Sequence, residues 1–416
     1  MPLSVSDASS VLPPYTPSSA VPAYSPEPSV DECIIQNRPR TKPHSFTGNY
    51  TKNFGCGTLV LTAQDEHADA PTYGRSALID GFVSLEDRDF VSDVTLKLKA
   101  NIELRAGSVT DTTILDEKYP LWSSNSSENQ CPAKIPFSTI LPTYFEHKNA
   151  RYPLPASYFA SYTSSDGIYA KVSYTLSITI TRARRRKLSF RASKTTVVVS
   201  FMYRPRTRPA RPIPPPESHF LADVKAMPEE WHQLTVAVSP RPKVQLPPVD
   251  LHLFTPALDV FTVGERIAVH VQLTGVVSSL REFLPDHDSV VAHATRTPRS
   301  LIEVRLVRQT RLHIHGSVEV VRVTAGHAVL RPLPPSAHAD SSDDGTQASL
   351  NWAGELRVDA DVATAGSFDA AVLQVQDFIV VDVLEAAGPK SQFAHTRHSR
   401  PVRLVTDPCL DPWSDT

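Results

Sequence analysis

Apolar and polar residues alternate over long stretches of this chain. From Val94 to Leu104 every second residue is aliphatic, and the residues between them are Thr, Lys, Asn or Glu. The same alternation runs from Val172 to Ile180, where Tyr174 joins the aliphatic row. A period of two is the spacing of side chains on one face of a β-strand, so both stretches predict strands. Shorter stretches of this kind predict further strands at residues 58–62, 76–85, 114–122, 195–203, 234–238, 249–253, 267–273, 302–306, 312–314, 318–323, 356–362 and 378–384.

Glycine and proline indicate where this pattern is interrupted. Gly81 falls inside one predicted strand and predicts a β-bulge there. Leu141-Pro142 and Leu154-Pro155 predict connections between strands, because proline has no N–H to donate to a sheet. Helical periodicity is weak everywhere, with a short helix expected at most within residues 218–230. The polar composition of residues 334–348 predicts a flexible loop.

The strands fall into two groups on either side of a proline-rich segment. Residues 204–217 are rich in Pro and Arg and contain three consecutive prolines at 214–216, which is typical of an extended polyproline linker. We therefore predict an all-β protein of two tandem antiparallel β-sandwiches with immunoglobulin-like architecture. The expected divisions are a tail at 1–43, a first sandwich at 44–203, a linker at 204–230, a second sandwich at 231–406 and a tail at 407–416.

The composition indicates a globular protein with a disordered amino-terminal tail and no nucleic-acid partner. Of the 416 residues 41% are hydrophobic, which indicates a globular chain with a sizeable core. Residues 1–43 hold few large aliphatic side chains and many Ser, Pro and acidic residues, so they are predicted to be disordered. The formal net charge of −2 argues against a nucleic-acid partner, since such binders are usually basic.

The sequence also favours a cytoplasmic location. No apolar run approaches 18 residues, so no transmembrane helix is expected, and no signal peptide is visible at the amino terminus. The four cysteines are scattered and form no Cys-x-x-Cys pair, which favours reduced thiols over a disulfide framework or a zinc site. They are Cys33, Cys56, Cys131 and Cys409.

Several of these segments resemble one family. In the first half, Leu141-Pro142 is followed by Pro155-Ala-Ser-Tyr158 and then by Val172-x-Tyr174-x-Leu176. This order is similar to the amino-terminal domain of arrestin-fold proteins, above all the fungal arrestin-related trafficking adaptors, or alpha-arrestins. In the second half, the segments similar to the hinge and last strands of these proteins are 228–231, 354–357, 367–368, 375–379 and 401–405. The resemblance covers roughly residues 54–406 and is weakest over 276–350.

A short motif in the predicted tail points to a binding partner. Leu12-Pro13-Pro14-Tyr15 fits the Leu/Pro-Pro-x-Tyr (PY) pattern of WW-domain ligands, in which a polyproline helix enters an aromatic groove. Pro22 and Tyr24 belong to a weaker copy. The two tyrosines are about 28 Å apart if the intervening chain is polyproline-like, so tandem WW domains could bind both. An ordinary proline-rich tail could match this short motif by chance. The family resemblance instead implies that the motif recruits a WW-domain HECT ubiquitin ligase.

Two further segments are candidate binding sites. The basic run between two predicted strands could contact anionic lipid or a phosphorylated receptor tail, or be a solvated turn. The Asp411-Pro412-Trp413 segment resembles a peptide that binds the plasma-membrane clathrin adaptor, or Trp413 could fold back onto the second domain. The basic run consists of Arg182, Arg184, Arg185, Arg186 and Lys187.

Catalytic and cofactor motifs do not appear in the sequence. His313 and His315 share a strand face but have no further metal ligands placed near them, and no phosphate loop, zinc-protease or nucleophile-elbow motif occurs. We therefore expect neither an enzyme nor a resident cofactor.

The resemblance implies a cytosolic adaptor, peripheral at the plasma membrane or endosomes. It would link a membrane transporter or receptor to the ubiquitin ligase and so promote ubiquitylation, endocytosis and sorting of that cargo. An arrestin-fold scaffold in signalling or endosomal sorting that recruits no ligase is the alternative. A β-sandwich enzyme or sugar-binding domain is the third hypothesis.

Overall fold

The computed structural model describes residues 32–35, 48–65, 68–125, 130–162, 167–183, 193–213, 220–284, 301–333, 347–359, 364–383 and 392–409. These residues form twenty-four β-strands and two short α-helices. The predicted all-β class is confirmed, as is the arrangement of two successive sandwich halves.

The first half packs two sheets face to face. One sheet has the strand order β2–β3–β5–β8, and the other has the order β4–β13–β12–β6–β7 with β11 also paired to β12. The two long predicted strands, β6 and β12, are neighbours, with Leu98 opposite Leu176. Their inward rows bury apolar side chains against those of β3 and β5, which is the packing of a β-sandwich. The strands are β2 (Gly48–Phe54), β3 (Gly57–Gln64), β4 (Thr72–Tyr73), β5 (Leu78–Leu85), β6 (Val91–Ala106), β7 (Ser108–Ser123), β8 (Lys134–Ile140), β9 (Tyr144–His147), β10 (Ala150–Pro153), β11 (Tyr158–Tyr162), β12 (Ile168–Arg182) and β13 (Ser193–Tyr203).

The second half is one continuous sheet that folds over its own core. Its strand order is β15–β16–β18–β21–β20–β19–β23–β24–β17, and β22 pairs with β23. The core includes Leu253, Val271, Leu306 and Ile379, all of which are buried. The strands are β15 (Trp231–Val238), β16 (Val249–Pro256), β17 (Val260–Thr262), β18 (Arg266–Val276), β19 (Ile302–Ile314), β20 (Ser317–Leu333), β21 (Gln347–Arg357), β22 (Phe368–Asp369), β23 (Leu373–Val383) and β24 (Thr396–Val405).

Short elements connect the halves. Strand β1 (Glu32–Ile35) pairs antiparallel with β14 (Arg206–Pro209), which lies inside the predicted linker. Helix α1 (Phe220–Ala226) and a 3-10 turn at Pro228–Glu230 follow it, so the expected short helix is present. Helix α2 (Val277–Leu280) and a 3-10 turn at Arg281–Phe283 follow β18.

The two halves share an apolar core. Strands β19 and β23 each contribute side chains to both cores. Leu306 and Ile379 are buried in the second-half core. Leu312 and Val375 are buried among side chains of the first half. The two strands therefore extend past their own sandwich and pack against its neighbour.

Several local predictions are confirmed and others are wrong. The two Leu-Pro steps do connect strands, between β8 and β9 and between β10 and β11. Gly81 is not at a bulge, because the β5–β8 register runs through it without a shift and the β3–β5 register reaches it without one. A Cβ at Gly81 would instead collide with the carbonyl oxygen of Val60, so close backbone approach explains the glycine.

The strand predicted at 356–362 is wrong in position. The strand is β21, Gln347–Arg357, and it overlaps the predicted loop at 334–348. Its inward row contains Leu350, Trp352 and Leu356 but also Ala348 and Gly354, and these two small residues weaken the apolar signal. Strand β1 likewise falls within residues predicted to be disordered, because four residues are too few to show a period.

No helix among the described residues is long and apolar enough to cross a membrane.

Candidate functional site

Most of the predicted binding residues lie outside the described part of the chain. This holds for the WW-ligand segments, the Asp-Pro-Trp segment and all of the basic run except Arg182. The residues concerned are Leu12, Pro13, Pro14, Tyr15, Pro22, Tyr24, Arg184, Arg185, Arg186, Lys187, Asp411, Pro412 and Trp413.

Arg182 ends β12, and its neighbour across the ladder is Ser193 of β13. The rest of the basic run follows Arg182 in the sequence and lies outside the described residues. Arg182 Nη2 donates a hydrogen bond to the carbonyl oxygen of Asp87 at 3.2 Å, and the N–H of Ala183 donates to the carbonyl oxygen of Phe90 at 2.6 Å. The Arg182 side chain therefore holds the adjacent turn in place.

The amino-terminal strand and the carboxy-terminal end meet at the linker. Strand β1 pairs antiparallel with one edge of β14, and Ile34 lies opposite Thr207. Along the other edge, the N–H of Thr207 donates to Thr406 Oγ1 at 3.0 Å, and the N–H of Asp407 donates to the carbonyl oxygen of Thr207 at 2.9 Å. We call β1, β14 and residues 406–407 together the linker junction.

Ion pairs hold the linker junction together. Arg403 Nε lies 2.7 Å from Glu32 Oε2, and the Glu32 carboxylate is buried. Arg206 Nε donates to Asp407 Oδ1 at 2.9 Å. Burial raises the pKa of Asp407, but hydrogen bonds from Arg206 and Thr406 outweigh it, so the net pKa lies below its usual range. At neutral pH the Asp407 carboxylate is therefore ionised and paired with Arg206 of the linker.

Arg400 adds a second tie close to the junction. Its guanidinium is buried and donates to the carbonyl oxygens of Pro256 at 3.0 Å and Ala257 at 3.2 Å. It also bonds Thr255 Oγ1 and forms an ion pair with Asp259. One arginine of β24 thereby fixes the turn between β16 and β17.

A buried ion pair lies where the two halves share their core. Arg308 Nε and Nη2 donate to the two carboxylate oxygens of Asp377 at 2.9 and 3.0 Å. Arg308 of β19 and Asp377 of β23 are direct neighbours across the ladder. Burial lowers the pKa of Arg308, but the Asp377 carboxylate outweighs it and the net shift is upward. We call Arg308 and Asp377 the interface ion pair.

Side chains from both halves surround this pair. Ser367 Oγ donates to Asp377 Oδ2 at 2.8 Å. Tyr162 of β11 donates its hydroxyl to Thr310 Oγ1 at 2.7 Å, and Tyr158 packs edge-on against Phe368 with ring centroids 5.5 Å apart. Burial raises the pKa of Tyr162, which therefore stays neutral. Two tyrosines of the first half thus contact the second half beside the interface ion pair.

Sequence analysis missed the interface ion pair, although a signal was present. In β19 the inward positions are Ile302, Val304, Leu306, Arg308, Thr310, Leu312 and Ile314, all of which are buried. In β23 the inward row from Leu373 to Val383 contains Asp377 in the same phase. A charged residue in the inward phase of a long apolar row is unusual and indicates a buried partner.

A shallow depression of about 440 Å³ lies beside the β9–β10 hairpin. Tyr144 is its central ring, with the guanidinium carbon of Arg151 4.2 Å and that of Arg75 5.4 Å from the ring centroid. Glu146 also lines the depression, so its charge is mixed. Lining residues of both signs around an open surface do not define a small-molecule site.

The described residues contain no group of three or more His, Cys, Asp or Glu side chains placed to hold a metal ion. All four cysteines carry free thiols.

No protein-family model matches the chain, and no curated protein sequence matches it either. The fold is a β-sandwich fold compatible with that of arrestin-like proteins.

Proposed function

We propose that this protein is an arrestin-related adaptor that links a membrane transporter or receptor to a WW-domain HECT ubiquitin ligase. The adaptor performs no chemistry itself. It raises the local concentration of the ligase near its cargo, which is then ubiquitylated, internalised and sorted. The sandwich halves bind the cargo, and the segment containing Leu12 to Tyr15 binds the ligase.

The linker junction is the observation that best supports this proposal. Strand β1, which begins seventeen residues after Tyr15, is paired with β14 at the linker between the halves. Sixteen residues separate Tyr15 from Glu32, a reach of roughly 55 Å when extended. A ligase bound at Tyr15 can therefore reach a large part of the surface around either sandwich.

The test is a binding titration of the full-length chain against tandem WW domains of a HECT ligase. We expect Tyr15→Ala to weaken binding at least about tenfold, because the tyrosine occupies its own pocket in the WW groove. Tyr24→Ala should cost less, since its motif departs from the consensus. Pro28→Ala, in the same segment but outside both motifs, is the matched control and should bind like the unaltered chain.

The result also decides between the two adaptor hypotheses. If the unaltered chain does not bind WW domains, ligase recruitment is excluded, and an arrestin-fold scaffold with partners on its folded surface becomes the favoured function. Anionic vesicles and the clathrin-adaptor appendage can be added as further probes, for the basic run and for Trp413 respectively.

A further inference from the structure

Strands at the edge of a sheet expose unpaired backbone groups, and most edges in this protein carry features that prevent pairing. Edge strand β8 contains Lys134 and Pro136, β7 contains Pro120 together with several charged residues, and β2 contains Lys52. Charges, prolines and bulges on edge strands are the usual protection against association through the edge. At the far end of the second-half sheet, the short strand β17 is covered by β14.

Strand β15 carries none of these protective features. Its sequence from Trp231 to Val238 is Trp-His-Gln-Leu-Thr-Val-Ala-Val, with no proline and no Asp, Glu, Lys or Arg. Its pairing with β16 runs over all eight residues without a register shift. Among the edge strands in the described part of the chain, it alone combines this length with an uncharged sequence.

The register shows which backbone groups of β15 are unpaired. The N–H of Ala257 donates to the carbonyl oxygen of Glu230, so the even-numbered residues of β15 bond to β16. The N–H and C=O groups of Gln233, Thr235 and Ala237 therefore point away from the sheet. No backbone partner for these three residues occurs among the described residues, and their side chains are exposed.

The two faces of β15 define what can pair with it. The inward residues Leu234 and Val236 are half-buried and pack on the second-half core, so they form an apolar rim at the edge. A strand that continues this sheet must place apolar side chains beside them. It must also present uncharged residues opposite Gln233 and Thr235.

We propose that the partner is a second copy of this chain, whose β15 pairs antiparallel with the first across a two-fold axis. In that pairing Gln233 lies opposite the partner subunit's Thr235, and Leu234 lies opposite the partner's Leu234. The unpaired N–H and C=O groups of the two strands then face each other and form backbone hydrogen bonds between the subunits. The apolar rim of one subunit lies beside the apolar rim of the other across the axis.

The local structure favours a second copy over a longer foreign strand. Beyond β15 the same edge is already occupied, because the N–H of Ala394 donates to the carbonyl oxygen of Ser239 at 3.1 Å and that of Arg241 to the carbonyl oxygen of Gln392 at 2.8 Å. The free edge is therefore limited to about the length of β15 itself. Because β15 has no formal charge, the two-fold axis opposes no like charges.

The test is sedimentation velocity of the full-length chain across a wide range of concentration. We expect a concentration-dependent dimer, and we expect Thr235→Pro to weaken it about tenfold or more, since each subunit loses a donor to the other. Ser138→Pro is the matched control, because its N–H also points away from its sheet, at the free edge of β8. Thermal unfolding of both variants checks that they fold.

A charge pair tests the register. An equimolar mixture of Thr235→Lys and Gln233→Glu chains should form the heterodimer in preference to either homodimer, because the register places positions 235 and 233 opposite each other and only the mixed dimer pairs the two charges. A chain that stays monomeric at all concentrations would overturn the proposal. So would a dimer that Thr235→Pro leaves unchanged, because another surface would then form it.

Discussion

Arg308 and Asp377 carry opposite charges inside an otherwise apolar contact. Each occupies the inward phase of its strand, at the point where the row of apolar side chains passes from one core to the other. Taking both charges out of water costs several kcal/mol per ion, which their bidentate geometry and the bond from Ser367 offset. We therefore expect the pair to add little net stability.

This predicts a strong difference between single and double substitutions. Asp377→Asn leaves the Arg308 charge buried and uncompensated, so we expect a loss of about 3–5 kcal/mol in the free energy of unfolding. Arg308→Met combined with Asp377→Leu should cost far less, or stabilise the protein. Urea denaturation measures both.

Asp116→Asn, which breaks the exposed pair with Lys97, is the control and should cost under about 1 kcal/mol. A double substitution as damaging as the single one would contradict this account, since it would mean that the ions themselves supply the stability.

At the scale of elements, α1 is held to the second half by the ring of Phe220, which packs edge-on against Trp231 and Phe254 and stacks on a histidine. The Phe220 ring stacks on His270 of β18 with centroids 3.7 Å apart and planes 11° apart. His270 is buried and makes one hydrogen bond, with Asn351 at 3.4 Å. Burial lowers the pKa of His270 to about 4, and the Asn351 bond opposes this only in part. Phe220 of α1 therefore stacks on an imidazole that is neutral at neutral pH.

This contact predicts a pH dependence of stability. The unfolded histidine takes a proton near pH 6.5, whereas the folded one resists protonation until about pH 4. His270 therefore lowers stability progressively as the pH falls from about 6.5 to about 4. In His270→Gln that part of the decline should be absent, as measured by urea denaturation at several pH values.

His252→Gln is the matched control, because His252 lies on the same outer face but is only half-buried. It should keep the slope of the unaltered protein. Equal slopes for the unaltered protein and His270→Gln would show that this imidazole does not control the pH dependence.

At the scale of the whole molecule, the shared core should make the two halves unfold together. Leu312 is fully buried among first-half side chains although it belongs to a second-half strand. We expect Leu312→Ala to cost about 2–5 kcal/mol and to separate the calorimetric unfolding into two transitions. Leu306→Ala, in the same strand but in the second-half core, should destabilise that half without the same loss of coupling.

Two separate transitions in the unaltered chain would contradict this coupling. The prediction concerns cooperativity and is independent of any binding partner.

The sequence predicted those features that depend on neighbouring residues. Alternation placed β6 and β12 correctly, and the Leu-Pro steps marked true connections. Contacts between distant segments could not be predicted in this way, because the pairing of β1 with β14 leaves no local period. The interface ion pair was also missed, since the polar residues at 308–310 interrupt the apolar row and divide β19 into two shorter predicted strands.

The linker junction places β1 and residues 406–407, which lie near the two ends of the described chain, on opposite edges of β14 and so about 10 Å apart, two strand spacings. Such ends can be joined by a short peptide and the chain reopened elsewhere, giving a circular permutant. Reopened between Ile213 and Phe220, the permutant would begin with the second sandwich and end with the first. The old linker would then no longer join the halves directly, and their association would depend on the junction and the shared core.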